Sequence, residues 1–514
     1  MDHVQTRSIA LVGAQGYPID VEATIGDGSP RLDIIGFPDD QAHEIRDRLR
    51  AAVFNSGIPW PHQQLTIGLF PATMPKAGPL LDLPIAAAIL AAAGILPHDA
   101  LADRALIGEL GLDGRLLPGR GVLPAVLAAV EAGIPRVVVP TANATEAALA
   151  PGVTVEAVPD LTALVRLLQG QEQSTTIPPA PTGTAEADRQ VDLADVPVGP
   201  RGRLAAEVAA AGGHHLFLTG GTGSATRMLA DRIPGLLPPL THTESLEVTA
   251  LHSAAGVLPA HATLITQPPW RAPHHSTTAG ALFGSATRAT QIRPGIVSQA
   301  HRGLLLLADA PEFTPGTLQG LWQPLSTGRV EIPVWPTTVT LPAAFLLVLT
   351  SRPCPCPCPQ PIFTTDSGCA CTPRIRRRYL ARIPTPIRDH CHLRVTLPRI
   401  RSDEPHREEG RGESTAIVAA RVSQARQAMA TRLRRTPWQH NAQLPRPILD
   451  RFWPLPRAVL RAAQHAQPDS VAAQAETTRI LQIAWTLADL AGLDRPGVEQ
   501  VDLARELRQP RPDA

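Results

Sequence analysis

At 514 residues the chain is too long for one ordinary core, and with 44% hydrophobic residues it can bury two or three. Its 47 basic and 46 acidic side chains leave a formal charge of +1, which excludes a global pull toward nucleic acid or membrane, so any polyanion contact must be local. No stretch reaches the ~18 uninterrupted apolar residues of a membrane span, and the N-terminus shows no basic region followed by an apolar run; the expectation is a soluble cytoplasmic protein without a membrane partner.

In chain order, residues 1–170 alternate strand-like and helix-like stretches. "YPIDVEATI", "PRLDIIGF" and "QQLTIGLF" carry the alternation of strands, and "AHEIRDRLRAAVFNSG" that of a helix stopped by glycine. "LDLPIAAAILAAAGIL" predicts a buried helix, and "GELGLDGRLLPG" a hairpin turning at Asp113-Gly114. The Pro-, Thr- and Ser-rich segment within 171–200 reads as a linker. A second α/β segment over 201–398 contains the strand-to-loop "LFLTGGTGSATRM" and a continuous apolar run, "LLLLADAPEF". After the charged break "RSDEPHREEGRGES", residues 399–514 read as helical; "TTRILQIAWTLADLAG" has apolar residues at helical spacing and stops at Gly492.

Several stretches together resemble one family, the Mg-chelatase-like AAA+ proteins called ComM or YifB, over nearly the whole chain. "RLDIIGFPDDQAHEIRDRLRAAVFNSG" and "MPKAGPLLDLPIAAAILAAAG" are similar to the family's Lon-protease-like (S5-like) N-terminal domain. "RAPHHSTTAGALFG", "RPGIVSQAHRGLLLLADAPEF" and "RPCPCPC" are similar to its AAA+ core, and "GESTAIVAARVSQAR" and "RILQIAWTLADLAG" to its C-terminal helices. The resemblance implies an α/β fold of three parts: a Lon-like domain over 1–170, a P-loop AAA+ core over 201–398 and a helical lid over 399–514. It also implies ATP and Mg²⁺ as cofactors, oligomeric rings, and DNA as a partner, with branch migration of DNA in the ComM branch.

A phosphate-binding loop needs glycines whose flanking N–H groups surround the phosphates, a lysine on the β and γ phosphates, and a hydroxyl on Mg²⁺. Here Gly220, Gly223 and Ser224 keep part of the frame, but Ala225 stands at the second motif glycine, Thr226 at the lysine and Arg227 at the hydroxyl. Lys76 is the only lysine in the chain, far away in sequence. Arg227 cannot simply replace the missing lysine, because the next residue along a helix points about 100° away. On the Walker B strand the resemblance puts Ala308 at the magnesium aspartate and Asp309 at the catalytic glutamate; slipping the register by one residue only moves the vacancy. Arg352 stands at the sensor asparagine, His390 follows Asp389 at the finger arginine, and Ala475, Gln482 and Trp485 occupy arginine positions of the lid.

Losing a charged hydrogen bond costs about 1.5–3 kcal/mol, one to two decades of affinity, whereas losing an arginine finger removes about 10³–10⁵ in rate. The expectation is therefore a degenerate, ATPase-impaired scaffold or DNA-associated module. The alternative is a hexameric, ATP-hydrolysing DNA motor that uses displaced residues.

Four further groups have paired readings. Cys354, Cys356, Cys369 and Cys371 form two C-x-C units that fit a structural zinc, or else a loop of reduced thiols. Lys76 resembles the lysine of Lon's Ser-Lys dyad, but Leu80 stands at the serine, so a scaffold role is the better reading. His274 and His275 face DNA or a neighbouring subunit, or satisfy a loop. "PRIRRRYLAR" is the sharpest basic patch, fit for phosphates or for plain solvation as an exposed helical face.

Overall fold

Strands β1 (His3–Val12) and β2 (Gln15–Gly26) pair antiparallel from His3 opposite Thr24 to Val12 opposite Gln15. The two-residue turn closes on Gly13, whose φ of +68° favours glycine. In this computed structural model, residues 3–37, 39–72, 74, 76, 78–172, 191–220, 225–259, 263–286, 292–334, 337–356, 371–397, 412–464 and 470–508 are described. β3 (Arg31–Ile35), β4 (Gln64–Phe70) and β5 (Arg104–Leu106) extend the first sheet. The hairpin β6 (Glu109–Leu110) and β7 (Leu116–Leu117) turns at the expected Asp113-Gly114, and β8 (Arg136–Pro140) and β9 (Thr154–Val158) complete the sheet. Its seven strands run in the order β3-β4-β2-β1-β5-β8-β9. Helix Asp82–Ala92 is buried at every position, which explains why its sequence is apolar all round.

The second sheet is built from β10 (Leu216–Gly220), β11 (Trp270–Arg271), β14 (Leu304–Leu307), β17 (Leu346–Ser351) and β18 (Leu393–Leu397), all parallel, in the order β11-β14-β17-β10-β18. Two hairpins are inserted between these strands: β12 (Gly284–Ala286) with β13 (Ile292–Pro294), and β15 (Arg329–Val334) with β16 (Thr337–Pro342). Alternate side chains enter two cores. Leu216, Leu218, Leu304, Leu306, Leu346 and Val348 pack with helix Pro200–Gly212 and the C-terminal helices, while Phe217, Leu305, Leu307, Leu347 and Leu349 pack with the hairpins, Phe313 and Ile387. Burial on both faces is why "LLLL" is continuous instead of alternating.

Helices Thr415–Leu433 and Val471–Leu490 are helical as expected, and each has a serine N-cap, Ser414 or Ser470. Ala475 and Gln482 line a cavity of about 1190 Å³ together with Gly213, His215, Arg302 and His392, at the N-terminal ends of β10, β14 and β18. The five residues of β10 put Gly220 roughly 13–16 Å from that end, so Ala475 and Gln482 stand away from the phosphate-loop position of their own chain. No described helix is long and apolar enough to cross a membrane.

Candidate nucleotide site

In a parallel sheet, ligands bind beyond the C-terminal ends of strands where the strand order reverses. Here that point is β10: the chain leaves it for β11 at the far edge, works back through β14 and β17, and crosses to β18 on its other side. Register makes the strand ends level, with Thr219 opposite Ser351 and Leu307 opposite Leu349. Gly220, Ala308, Asp309 and Arg352 therefore gather at one end of the sheet.

Gly220 ends β10 in a buried position, and helix Thr226–Arg232 begins after Ala225. Gly223 and Ser224 lie outside the described residues. Thr226 is the first residue of the helix, and its side chain cannot reach as far as a lysine. Arg227 is turned along the helix exterior, its Nε 3.0 Å from both carboxylate oxygens of Asp231 one turn on. Its guanidinium is thus directed away from β10.

Asp309 adopts a left-handed backbone, φ 50° and ψ 50°, an uncommon conformation that aspartate tolerates better than most residues. Its N–H donates to Thr350 Oγ1 at 3.2 Å, which fixes the turn against β17. The Asp309 carboxylate lies 3.5 Å from Arg352 Nε. Arg352 also donates through Nη2 to Glu312 Oε1 at 3.2 Å, and Glu312 accepts from Tyr379 Oη at 2.9 Å and Arg382 Nη1 at 3.3 Å. Glu312 is the hub of this network. Sequence reasoning passed over it; the available signal was a carboxylate three residues after Asp309 in a segment facing several arginines.

The expected finger and lid-arginine positions are elsewhere. Asp389 pairs with Arg394 at 3.0 Å, and burial pulls the His390 imidazole below its usual range. Gln482 donates to Leu444 O at 2.8 Å, and Trp485 is packed under the Arg432 guanidinium, 4.6 Å from its ring centre.

Three family signatures match in tandem: "Subunit ChlI of Mg-chelatase" over 21–143, "Magnesium chelatase, subunit ChlI" over 192–405, and "Magnesium chelatase, subunit ChlI C-terminal" over 412–508. An uncharacterized protein of Mycobacterium tuberculosis is 42% identical over 506 residues, 98% of either chain. YifB of Escherichia coli is 34% identical over 487 residues, 95% of this chain and 93% of YifB. Competence protein ComM of Haemophilus influenzae is 32% identical over 492 residues, 94% of this chain and 93% of ComM. The chain belongs to the YifB/ComM family of Mg-chelatase-like proteins. A shorter likeness, 31% over 147 residues, to Lon protease 1 of Thermus thermophilus fits the Lon-like part of the fold and covers 18% of that protein.

In this YifB/ComM-family chain, Lys76 is buried and donates to the carbonyls of Pro71 and Met74, the latter at 3.4 Å; burial lowers its pKa. Leu80 is packed into the neighbouring core, so the lysine holds a turn and has no hydroxyl partner at the dyad position. His274 and His275 are exposed, with ring centres 4.0 Å apart, and His275 meets Phe313 at 6.4 Å, beside the Asp309–Glu312 turn. The sulfurs of Cys354, Cys356 and Cys371 all lie within 4.8 Å of one another, close enough to share one ion. Cys356 is disulfide-bonded, whereas Cys371 and Cys391 carry free thiols. A disulfide and a thiolate metal site are alternative uses of the same sulfurs. Cys369 lies outside the described residues. Cys391 stands apart, fully buried, its thiol pushed up to about 12 by burial.

Proposed function

We propose that this chain is a noncatalytic member of the YifB/ComM family: a scaffold or DNA-associated module, capable of joining an oligomeric ring, in which the ATP-driven step is lost. The observation that carries the reading is the Asp309–Arg352 pair. Asp309 is the carboxylate at the end of the Walker B-like strand, and the residue at the sensor position directs a guanidinium at it. Ala308 supplies no magnesium ligand, Thr226 no phosphate cation, and Arg227 is engaged by Asp231. Magnesium-ATP does not fit this donor set, and no catalytic step is derived through it.

The division into 1–170, 171–200, 201–398 and 399–514 is part of the same proposal, as is a structural zinc held by Cys354, Cys356, Cys369 and Cys371. With Ala475 and Gln482 facing the cavity at the other end of the sheet, an arginine in the role expected of them would come from a neighbouring subunit. An intact paralogue is a fitting ring partner. Calorimetry of magnesium-ATP on the purified protein, with turnover followed on the same sample, tests the reading. Neither binding nor turnover is expected; turnover above a no-protein control would establish the motor instead.

A further inference from the structure

We propose that the exposed arginine face of helix Pro373–Leu380 is the surface on which this protein carries a nucleic-acid phosphate backbone. The proposal deepens the DNA-associated half of the reading above and rests on it.

The helix starts firmly: Pro373 occupies its first turn, and the Thr372 side chain accepts from Ile375 N–H. Positions i, i+3 and i+4 put Arg374, Arg377 and Arg378 on one face, and all three are exposed. Tyr379 is buried on the inner side. None of the three arginines has an ion pair with a described residue, whereas nearby Arg352 and Arg382 share Glu312 and Arg394 takes Asp389. Like charges at this spacing cost the helix a few tenths of a kcal/mol per pair. A polyanion removes that cost, and duplex DNA presents one charge per about 1.7 Å of axis.

The face is also held in place. Cys371 lies one residue before the N-cap, with its sulfur in the cluster with Cys354 and Cys356. Near the other end Tyr379 and Arg382 are bonded to Glu312. Guanidiniums mounted on a helix fixed at both ends lose little freedom when they meet phosphates, and their planar forks suit phosphate oxygens. Base reading is not built in: the helix's one aromatic ring, Tyr379, is buried, so nothing on this face stacks on bases. A membrane surface fits less well, because Ile375 is the one large apolar side chain the helix exposes and an interfacial helix needs an apolar face.

The test is fluorescence anisotropy of the full chain with a labelled random-sequence duplex, across about 50 to 200 mM salt. It compares wild type, the triple variant Arg374→Gln/Arg377→Gln/Arg378→Gln, and the control Arg434→Gln/Arg435→Gln. Thermal unfolding of each confirms the fold. Loss of three phosphate contacts flattens the log-affinity against log-salt slope by about 2.7, so the triple variant loses about 40-fold less affinity over that range. The control keeps the wild-type slope. A triple variant with the wild-type slope overturns the surface while leaving DNA association standing. A wild type that fails to bind DNA overturns the surface and the DNA reading together. Polyglutamate competing as well as DNA at equal charge overturns it in favour of an acidic protein partner.

Discussion

Asp309 and Arg352 meet at 3.5 Å with their side chains part exposed, so the pair itself contributes at most about 1 kcal/mol to stability. Its consequence is chemical: a carboxylate facing a guanidinium is a poor magnesium ligand. Removing the guanidinium alone does not create a site, because the lysine and aspartate positions stay empty. Arg352→Asn is therefore expected to leave magnesium-ATP binding unchanged in calorimetry. The combination Thr226→Lys, Ala308→Asp and Arg352→Asn is expected to tighten it by at least about tenfold, the lower bound for regaining a charged hydrogen bond. Equal binding by wild type and the combination would mean that other residues hold the phosphates. The proposed vacancies at Thr226 and Ala308 rest on the sequence resemblance, where each reads as a missing functional group. It did not show that Arg227 turns to Asp231 or that Glu312 gathers Arg352, Tyr379 and Arg382, because partner choice depends on where distant segments are brought together.

At the scale of elements, histidines fasten the lower ends of the second sheet. His215, just before β10, accepts the Leu347 N–H of β17 through Nδ1 at 3.1 Å, and His214 Nε2 contacts Thr486 Oγ1 at 2.7 Å on helix Val471–Leu490. Burial, reinforced by neighbouring histidines and arginines, pushes His214, His215 and His440 down to about 3 and His392 well below its usual value. An unfolded histidine titrates near 6.5. Depressed folded values give stability that is complete above about pH 6.5 and is lost as pH falls toward 3, because only the unfolded chain takes up protons in that interval. Thermal unfolding followed from about pH 7.5 to about pH 5 should show a falling midpoint; a flat or rising one would contradict neutral buried histidines. Helix Val471–Leu490 makes a second prediction. Trp485 is fully buried beneath Arg432, whose Nη2 reaches Asp489 at 2.7 Å, so Trp485→Ala is expected to cost about 3–5 kcal/mol in urea unfolding. The helix itself was legible from its apolar spacing and Gly492, whose φ is +67°. Its docking site was not, since periodicity tells which face is buried and not against what.

For the whole molecule, three chelatase-family matches in tandem accompany a five-stranded parallel sheet with its switch point at β10. The proposal is that the chemistry at that switch point is lost. If the cysteine cluster holds a structural zinc, as proposed, about one zinc per chain is expected in protein purified without chelator, with a matching shortfall of free thiols restored on denaturation in chelator. Metal-free protein with a reducible disulfide would replace it. The measurement that bears most directly on the central claim is magnesium-dependent ATP turnover by the purified full chain, with and without branched DNA. No turnover above a no-protein control is expected in either condition; DNA-stimulated hydrolysis would mean that Asp309 works despite Arg352.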